Sequence, residues 1–183
     1  MFHANTLTLE TGKTHSWLRS AVLVILSSLL IGLFAKVAIP LPFSPVPLAT
    51  QGIVVLILSV FLGPKRAAAA VIAFITQGAA GFPVFAGGHG GLPSLFGPTG
   101  GYLFGYLTAA ILVGHLSEKI QNHTPLKLFG ILALGNGMFF FFGVPYLATF
   151  VGLQKALLLG LAPFVIGDLI KLLLGVKILQ SFR

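Results

Sequence analysis

The two residues of this chain with the most chemical capability are an acid and a base set three apart in an apolar run. Asp168 and Lys171 stand in FVIGDLIKLLLG, a stretch that otherwise reads as uninterrupted hydrophobic helix. A lone Asp at the centre of a membrane helix costs about 2.5–3.5 kcal/mol on insertion scales. A spacing of three puts Lys171 on the same helical face, where the two charges offset each other. The pair either orients a helix bundle or faces a cavity and meets a ligand, and ionisable groups inside a membrane are functional by default. An ionised carboxylate only accepts hydrogen bonds. A ligand facing it would bring adjacent N–H donors, as a urea or an amide does. Lys171 would hold Asp168 ionised, or meet a ligand carbonyl or carboxylate.

Few other residues invite chemistry. The remaining acids are Glu10, in the N-terminal segment, and Glu118, at the end of an apolar run. Gln51, Gln77, Asn136 and Gln154 are neutral polar groups in or near apolar runs; Asn136 and Gln77 read as helix–helix hydrogen-bond partners. His89 has no second ligand at metal-site spacing, so it reads as a loop hydrogen-bonder and no metal site is expected. The absence of Cys excludes disulfides, iron–sulfur clusters and Cys-ligated zinc. Neither a phosphate-cradling G-x-x-x-x-G-K-[ST] nor H-E-x-x-H nor G-x-S-x-G occurs. No catalytic residue and no cofactor is therefore expected. Uphill movement of a solute would draw its energy from a partner subunit or an ion gradient.

These residues must be positioned by membrane helices. Hydrophobic residues make up 56% of the 183 and charged residues 8%, against about 25% charged in a soluble domain. The formal charge is +8, but the basic residues fall in short clusters between apolar runs. That pattern is a topology signal and not a nucleic-acid-binding face. Taking about 20 apolar residues per span, six spans are predicted: 18–39, 48–62, 67–80, 102–116, 126–142 with irregular backbone at 143–145, and 156–179. The first is too long for a signal-peptide core and is read as retained. Residues 1–17 are predicted to be a polar, unpatterned cytoplasmic tail, within a single membrane domain covering 1–183. With the N-terminus inside, Lys13, Arg19, Lys65, Arg66, Lys119, Lys127, Lys177 and Arg183 fall inside and Lys155 outside, while Lys36 and Lys171 fall within spans. This bias puts both termini in the cytoplasm. The first outer loop, 40–47, is PLPFSPVP. The second, 81–101, is GFPVFAGGHGGLPSLFGPTGG, rich in Gly and without an acid, Lys or Arg. So apolar a loop is expected to fold down as a lid over the bundle. Ser28, Gly32 and Ala35 line up small residues on one face of span 1, serving a partner helix or packing within the chain.

The runs PLPFSPVPLATQG, LGPKRAAAAV, GFPVFAGGHGGL and GPTGGYL, followed by FGVPYLA and APFVIGDLIK, resemble the BioY family, the biotin-binding S components of energy-coupling factor (ECF) vitamin transporters. The blocks occur in the family's order from Pro40 to Lys171. The resemblance implies an all-α, six-transmembrane-helix bundle with a ligand pocket near the outer face, covered by the loops after spans 1 and 3, in a bacterial cytoplasmic membrane. It implies biotin as transported ligand, and a transmembrane coupling subunit and ATPase subunits as partners. The coupling subunit would dock on Ser28, Gly32 and Ala35. Asp168 and Lys171 would bind substrate, with Thr99, Gly100, Gly101 and Tyr102, and with Phe85, Phe96, His89 and Gln51 around them. Where relatives often carry Arg this chain has His89. The alternatives are an S component for another vitamin or a biotin precursor, a stand-alone secondary transporter, an intramembrane enzyme using Asp168 and His89, and a structural scaffold. A homo-oligomer stays open.

Overall fold

The computed structural model describes residues 6–120 and 124–182, with side chains from residue 17 onward. Glu10, Lys13 and Arg183 thus lie outside the described side chains. Helix α1 runs Thr6–Ala35, so the segment expected to be an unpatterned tail is helical from Thr6. No Pro interrupts residues 6–16, and extending a nucleated helix adds one backbone bond per residue fixed. Beyond it, β1 (Ala38–Ile39) pairs antiparallel with β2 (Leu48–Ala49), Ala38 opposite Ala49, and so ties together the two ends of the Pro-rich loop.

Helix α2 is assigned over Gln51–Ala79, but Gly63 inside it has φ 71° and ψ 174° and Pro64 follows. A straight helix of 29 residues would be about 43 Å long at 1.5 Å per residue, and its ends could not meet. Here they do. Gln51, at the start, lines the same cavity as Phe85, and the Phe85 ring sits over Gly78, near the end. Gly63 and Pro64 instead pack on Gly114. The element is therefore two antiparallel arms, 51–62 and 64–79, folded back with no loop between them. The two spans predicted here are present; the connection is shorter than a loop because Gly63 adopts a left-handed φ that other residues rarely take and proline begins the next arm without needing an N–H partner.

A short 3₁₀ turn (Ala86–Gly88) and helix α3 (Leu92–Phe96) structure the Gly-rich loop. Helices α4 (Gly100–Lys119) and α5 (Pro125–Val151) follow. α5 continues through Pro145, so the irregular backbone expected at 143–145 is absent; membrane helices tolerate proline where neighbours re-satisfy the freed backbone. The last expected span is instead broken. α6 (Leu153–Gly160) and α7 (Phe164–Ser181) meet at a 42° bend, and Pro163 stands in the break.

On length and apolarity alone, α1 from Trp17, α2 and α5 can each cross a membrane, and α6 with α7 can form a broken fourth span. Packing adds the fold-back in α2, and α4 joins it: its Ala109, Ala110 and Val113 are fully buried. Six arms thus run between a loop-bearing end and an opposite end marked by Gly63, Glu118, Leu128 and Leu179. The core is filled by Phe74, Leu56, Leu128, Leu132 and Leu147. Outward faces carry Leu26, Leu29 and Leu33 on α1 and Ile166, Leu169 and Leu173 on α7, all exposed. An apolar exterior of this extent is matched by lipid.

The small-residue face of α1 is closed from within, which corrects its reading as a partner surface. Ser28 and Ala35 are 0% exposed, and the Ser28 hydroxyl accepts from Gln77 Nε2 at 2.9 Å. Gly32 packs against Val84 of the Gly-rich loop. The small side chains let the second arm of α2 and that loop approach α1 closely.

Candidate functional site

Asp168 lies one turn into α7 and is 8% exposed. Its two carboxylate oxygens have different partners. Oδ1 receives the Lys171 ammonium at 2.9 Å, and Oδ2 receives Asn136 Nδ2 from α5 at 3.1 Å. Lys171 also donates to the Ala49 carbonyl at 3.0 Å, so one side chain ties α7 to the end of the Pro-rich loop. A carboxylate has about four lone-pair positions, and two are filled here. The rest can accept donors from a ligand. Lys171 keeps one N–H, and Asn136 keeps one N–H and its carbonyl oxygen. The cluster can therefore bind a group that presents N–H and C=O side by side.

These side chains line a cavity between α2, α4, α5 and α7. The centres of water-sized molecules have about 80 Å³ there, whereas one water needs about 10–15 Å³ by the same measure. Aromatic walls surround it: Tyr102 and Tyr106 from α4, Phe139 and Phe140 from α5, and Phe164 from α7. Tyr106 and Phe139 meet edge to face at 4.7 Å, and the Tyr102 hydroxyl donates to the Gly160 carbonyl at 2.8 Å. Gln51 also lines the cavity and donates through Nε2 to the Tyr106 hydroxyl at 3.0 Å. Its Oε1 is buried and without a partner, leaving an acceptor for a ligand donor.

Both outer loops close the cavity. Val46 and Pro47 reach it from the Pro-rich loop, and Phe85, Ala86, Ser94 and Thr99 from the Gly-rich one. The Pro-rich loop is pinned by Ser44, whose hydroxyl donates to the Leu159 carbonyl at 2.8 Å. The Gly-rich loop is pinned by the Gly91 N–H on the Gly78 carbonyl at 2.7 Å and by the buried Phe85 ring, edge-on to Phe74 at 5.5 Å. Its chain folds onto the bundle because apolar Val84 and Phe85 alternate with residues free to turn.

Of the predicted site residues, Asp168, Lys171, Gln51, Phe85, Thr99 and Tyr102 come together around this cavity. Gly100 and Gly101 do not line it. A Cβ on Gly100 would strike the Leu95 carbonyl, and one on Gly101 would lie 2.6 Å from the Phe142 carbonyl; their bareness serves helix packing. His89 is exposed and lines the outer hollow beside this cavity, not the cavity itself. Phe96 is 64% exposed and contributes its carbonyl to the Tyr146 hydroxyl. Asn136, Tyr106 and the Ala49 carbonyl are not among the predicted site residues, nor are the wall rings Phe139, Phe140 and Phe164. Asn136, an amide between Gly135 and Gly137 in an apolar span, was visible but assigned to helix contact. A backbone carbonyl leaves no sequence signal. Among the described residues no group of His, Asp or Glu is placed to hold a metal.

A solved structure shares this architecture: the S-component for biotin from an ECF-type ABC transporter superposes with a TM-score of 0.82 at 28% identity, covering 92% of this chain and 93% of that one. The protein is thus an all-helical membrane protein of the S-component type, a class of transport subunits and not of enzymes. The sequence pattern of the BioY family matches residues 5–183, and the chain belongs to that family. The biotin transporter BioY of Thermotoga maritima is 39% identical over 141 residues, 76% of this chain and 82% of that protein. Its namesake in Rhizobium etli is 39% identical over 142 residues, 73% and 75% respectively. The probable biotin transporter BioY of Pyrococcus horikoshii is 34% identical over 145 residues, 79% and 85%.

Proposed function

We propose that this chain is the biotin-binding subunit of an uptake system. It captures biotin at the outer face of a bacterial cytoplasmic membrane and delivers it inward as one membrane domain without a cofactor of its own. Energy comes from ATPase subunits joined to it through a transmembrane coupling subunit, the kind of assembly named for the similar solved structure. The observation that carries this reading is the Asp168 carboxylate, held by Lys171 and Asn136 inside an aromatic, loop-roofed cavity. Biotin's ureido ring offers two N–H donors flanking a carbonyl. Asp168 and Gln51 Oε1 supply acceptors, Lys171 and Asn136 supply donors, and the aromatic walls suit its apolar bicycle.

The test is Asp168→Asn, which keeps the shape and removes the charge. Hydrogen bonds to a charged group contribute about 1.5–3 kcal/mol each, so the biotin Kd should rise roughly 10–100-fold by titration calorimetry of the purified chain. Thermal unfolding of the variant serves as the folding control. An unaltered Kd in a folded variant would sink the proposal. Competition with thiamine and riboflavin separates biotin from other vitamins.

A further inference from the structure

Outside the Asp168 cavity lies a second hollow, between the Pro-rich and Gly-rich loops, with about 550 Å³ for the centres of water-sized molecules. The two share Pro47, Phe85, Ala86, Ser94 and Thr99 in their linings. Those residues stand at the boundary where the two hollows adjoin. The outer hollow has two ionisable lining residues, Lys36 and His89. Lys36 follows the last turn of α1, its N–H bonded to the Leu33 carbonyl at 3.2 Å. The sequence placed it inside a span; it stands instead at the mouth. Among the described residues its ammonium has neither a carboxylate nor a hydrogen-bond acceptor as partner. Asp168 is occupied by Lys171 and Asn136, and Glu118 lies beside Gly63 at the far end of the bundle.

We propose that Lys36 is the residue that selects a free carboxylate on the ligand, binding it in the outer hollow while the N–H-bearing end occupies the Asp168 cavity. The inference rests on the binding reading above. A ligand with a ureido ring at one end and a carboxylate at the other has one favourable direction in this channel. The floor presents Asp168 and the unpartnered Gln51 Oε1, both acceptors, which repel a carboxylate. The boundary between the two hollows is mainly apolar, as a methylene chain crossing it requires. Beyond it stands a cation with no competing anion. Lys171 is the other cation near the path, but its charge is already paired with Asp168 on the floor, and its remaining N–H faces the end that the ureido group occupies. An ion pair formed in a partly enclosed hollow is screened less than one in open water.

The experiment compares biotin with biotinamide, which differs in lacking the charge. The unaltered chain should prefer biotin about fivefold, the upper end for an exposed ion pair. Lys36→Met should remove that preference by weakening biotin about fivefold while leaving biotinamide binding where it was, and Lys36→Arg should retain it. Equal weakening of both ligands by Lys36→Met, no weakening of either, or loss of the preference in His89→Ala instead would overturn the assignment. Asp168→Asn should weaken both ligands alike. If it weakens neither, the failure lies in the underlying binding reading and not in Lys36 alone.

Discussion

The ammonium of Lys171 touches a carboxylate on its own helix and a carbonyl on the Pro-rich loop, so charge compensation and loop position depend on one atom. Lys171→Met removes both and leaves Asp168 in the cavity with only Asn136. Breaking a buried pair costs about 3–5 kcal/mol, and side-chain exposures of 18% and 12% place this pair at the lower end, near 3 kcal/mol. Adding Asp168→Asn removes the stranded charge. The double variant should therefore unfold at a higher temperature than Lys171→Met alone, while neither binds biotin well. A double variant less stable than the single one would show that the pair is not coupled in this way. The acid and base were legible in the sequence because any charge in an apolar run is conspicuous. Asn136 was not, since an amide in a span serves a neighbouring helix or a site equally well, and only packing says which. Gly100 and Gly101, expected to bind substrate, are instead places where helices approach closely. A glycine does not say whether a ligand or a helix does the approaching, and here Leu95 and Tyr146 do.

Among elements, the fold-back in α2 has the greatest effect on the site, because it returns the chain to the loop-bearing end, with Gln51 and Gly78 both near Phe85. Gly114 of α4 makes the turn possible. A Cβ there would lie 2.5 Å from the Pro64 nitrogen and 2.7 Å from the Gly63 carbonyl carbon, backbone atoms that cannot swing aside as a side chain can. Overpacking of this kind costs about 1–3 kcal/mol, so Gly114→Ala should lower the thermal midpoint in detergent. The same change at Gly130 or Gly137 of α5 meets nothing within 4 Å and replaces a helix-interior glycine. It should be neutral or stabilise by up to about 1 kcal/mol. Equal effects at Gly114 and Gly130 would contradict the packing argument. Most helices were legible because apolar length marks them, and the Gly-Pro-Lys-Arg sequence marked this turn. Proline was the unreliable sign. Pro145 sits within an unbroken helix and Pro163 within a break, and the difference lies in whether neighbouring helices accommodate the disturbed backbone.

At the scale of the whole molecule, the distribution of charge supports the proposed orientation of the cavity. Lys65 and Arg66 lie at the fold-back, Lys119 and Lys127 flank the connection from α4 to α5, and Arg19 stands toward the start of α1, all away from the loops. The loop-bearing end holds Lys36 and Lys155. An excess of Lys and Arg marks the cytoplasmic side, so the proposed orientation opens the cavity outward and places the fold-back in the cytoplasm. The chain has no cysteine, which makes each engineered thiol a unique probe. In intact bacterial spheroplasts, a membrane-impermeant maleimide should label Cys introduced at His89 but label Cys at Lys65 only after the membrane is opened. The reverse pattern would invert the protein and leave the cavity facing the wrong way for uptake. Ser94 supplies the decisive position, since it lines both the inner cavity and the outer hollow. A thiol there should react from outside, and saturating biotin should slow the reaction while leaving a thiol at Phe96, which is exposed and lines neither hollow, labelled at nearly its original rate. Protection at Ser94 without protection at Phe96 would tie the outward-facing orientation and the ligand to the same channel in a single measurement.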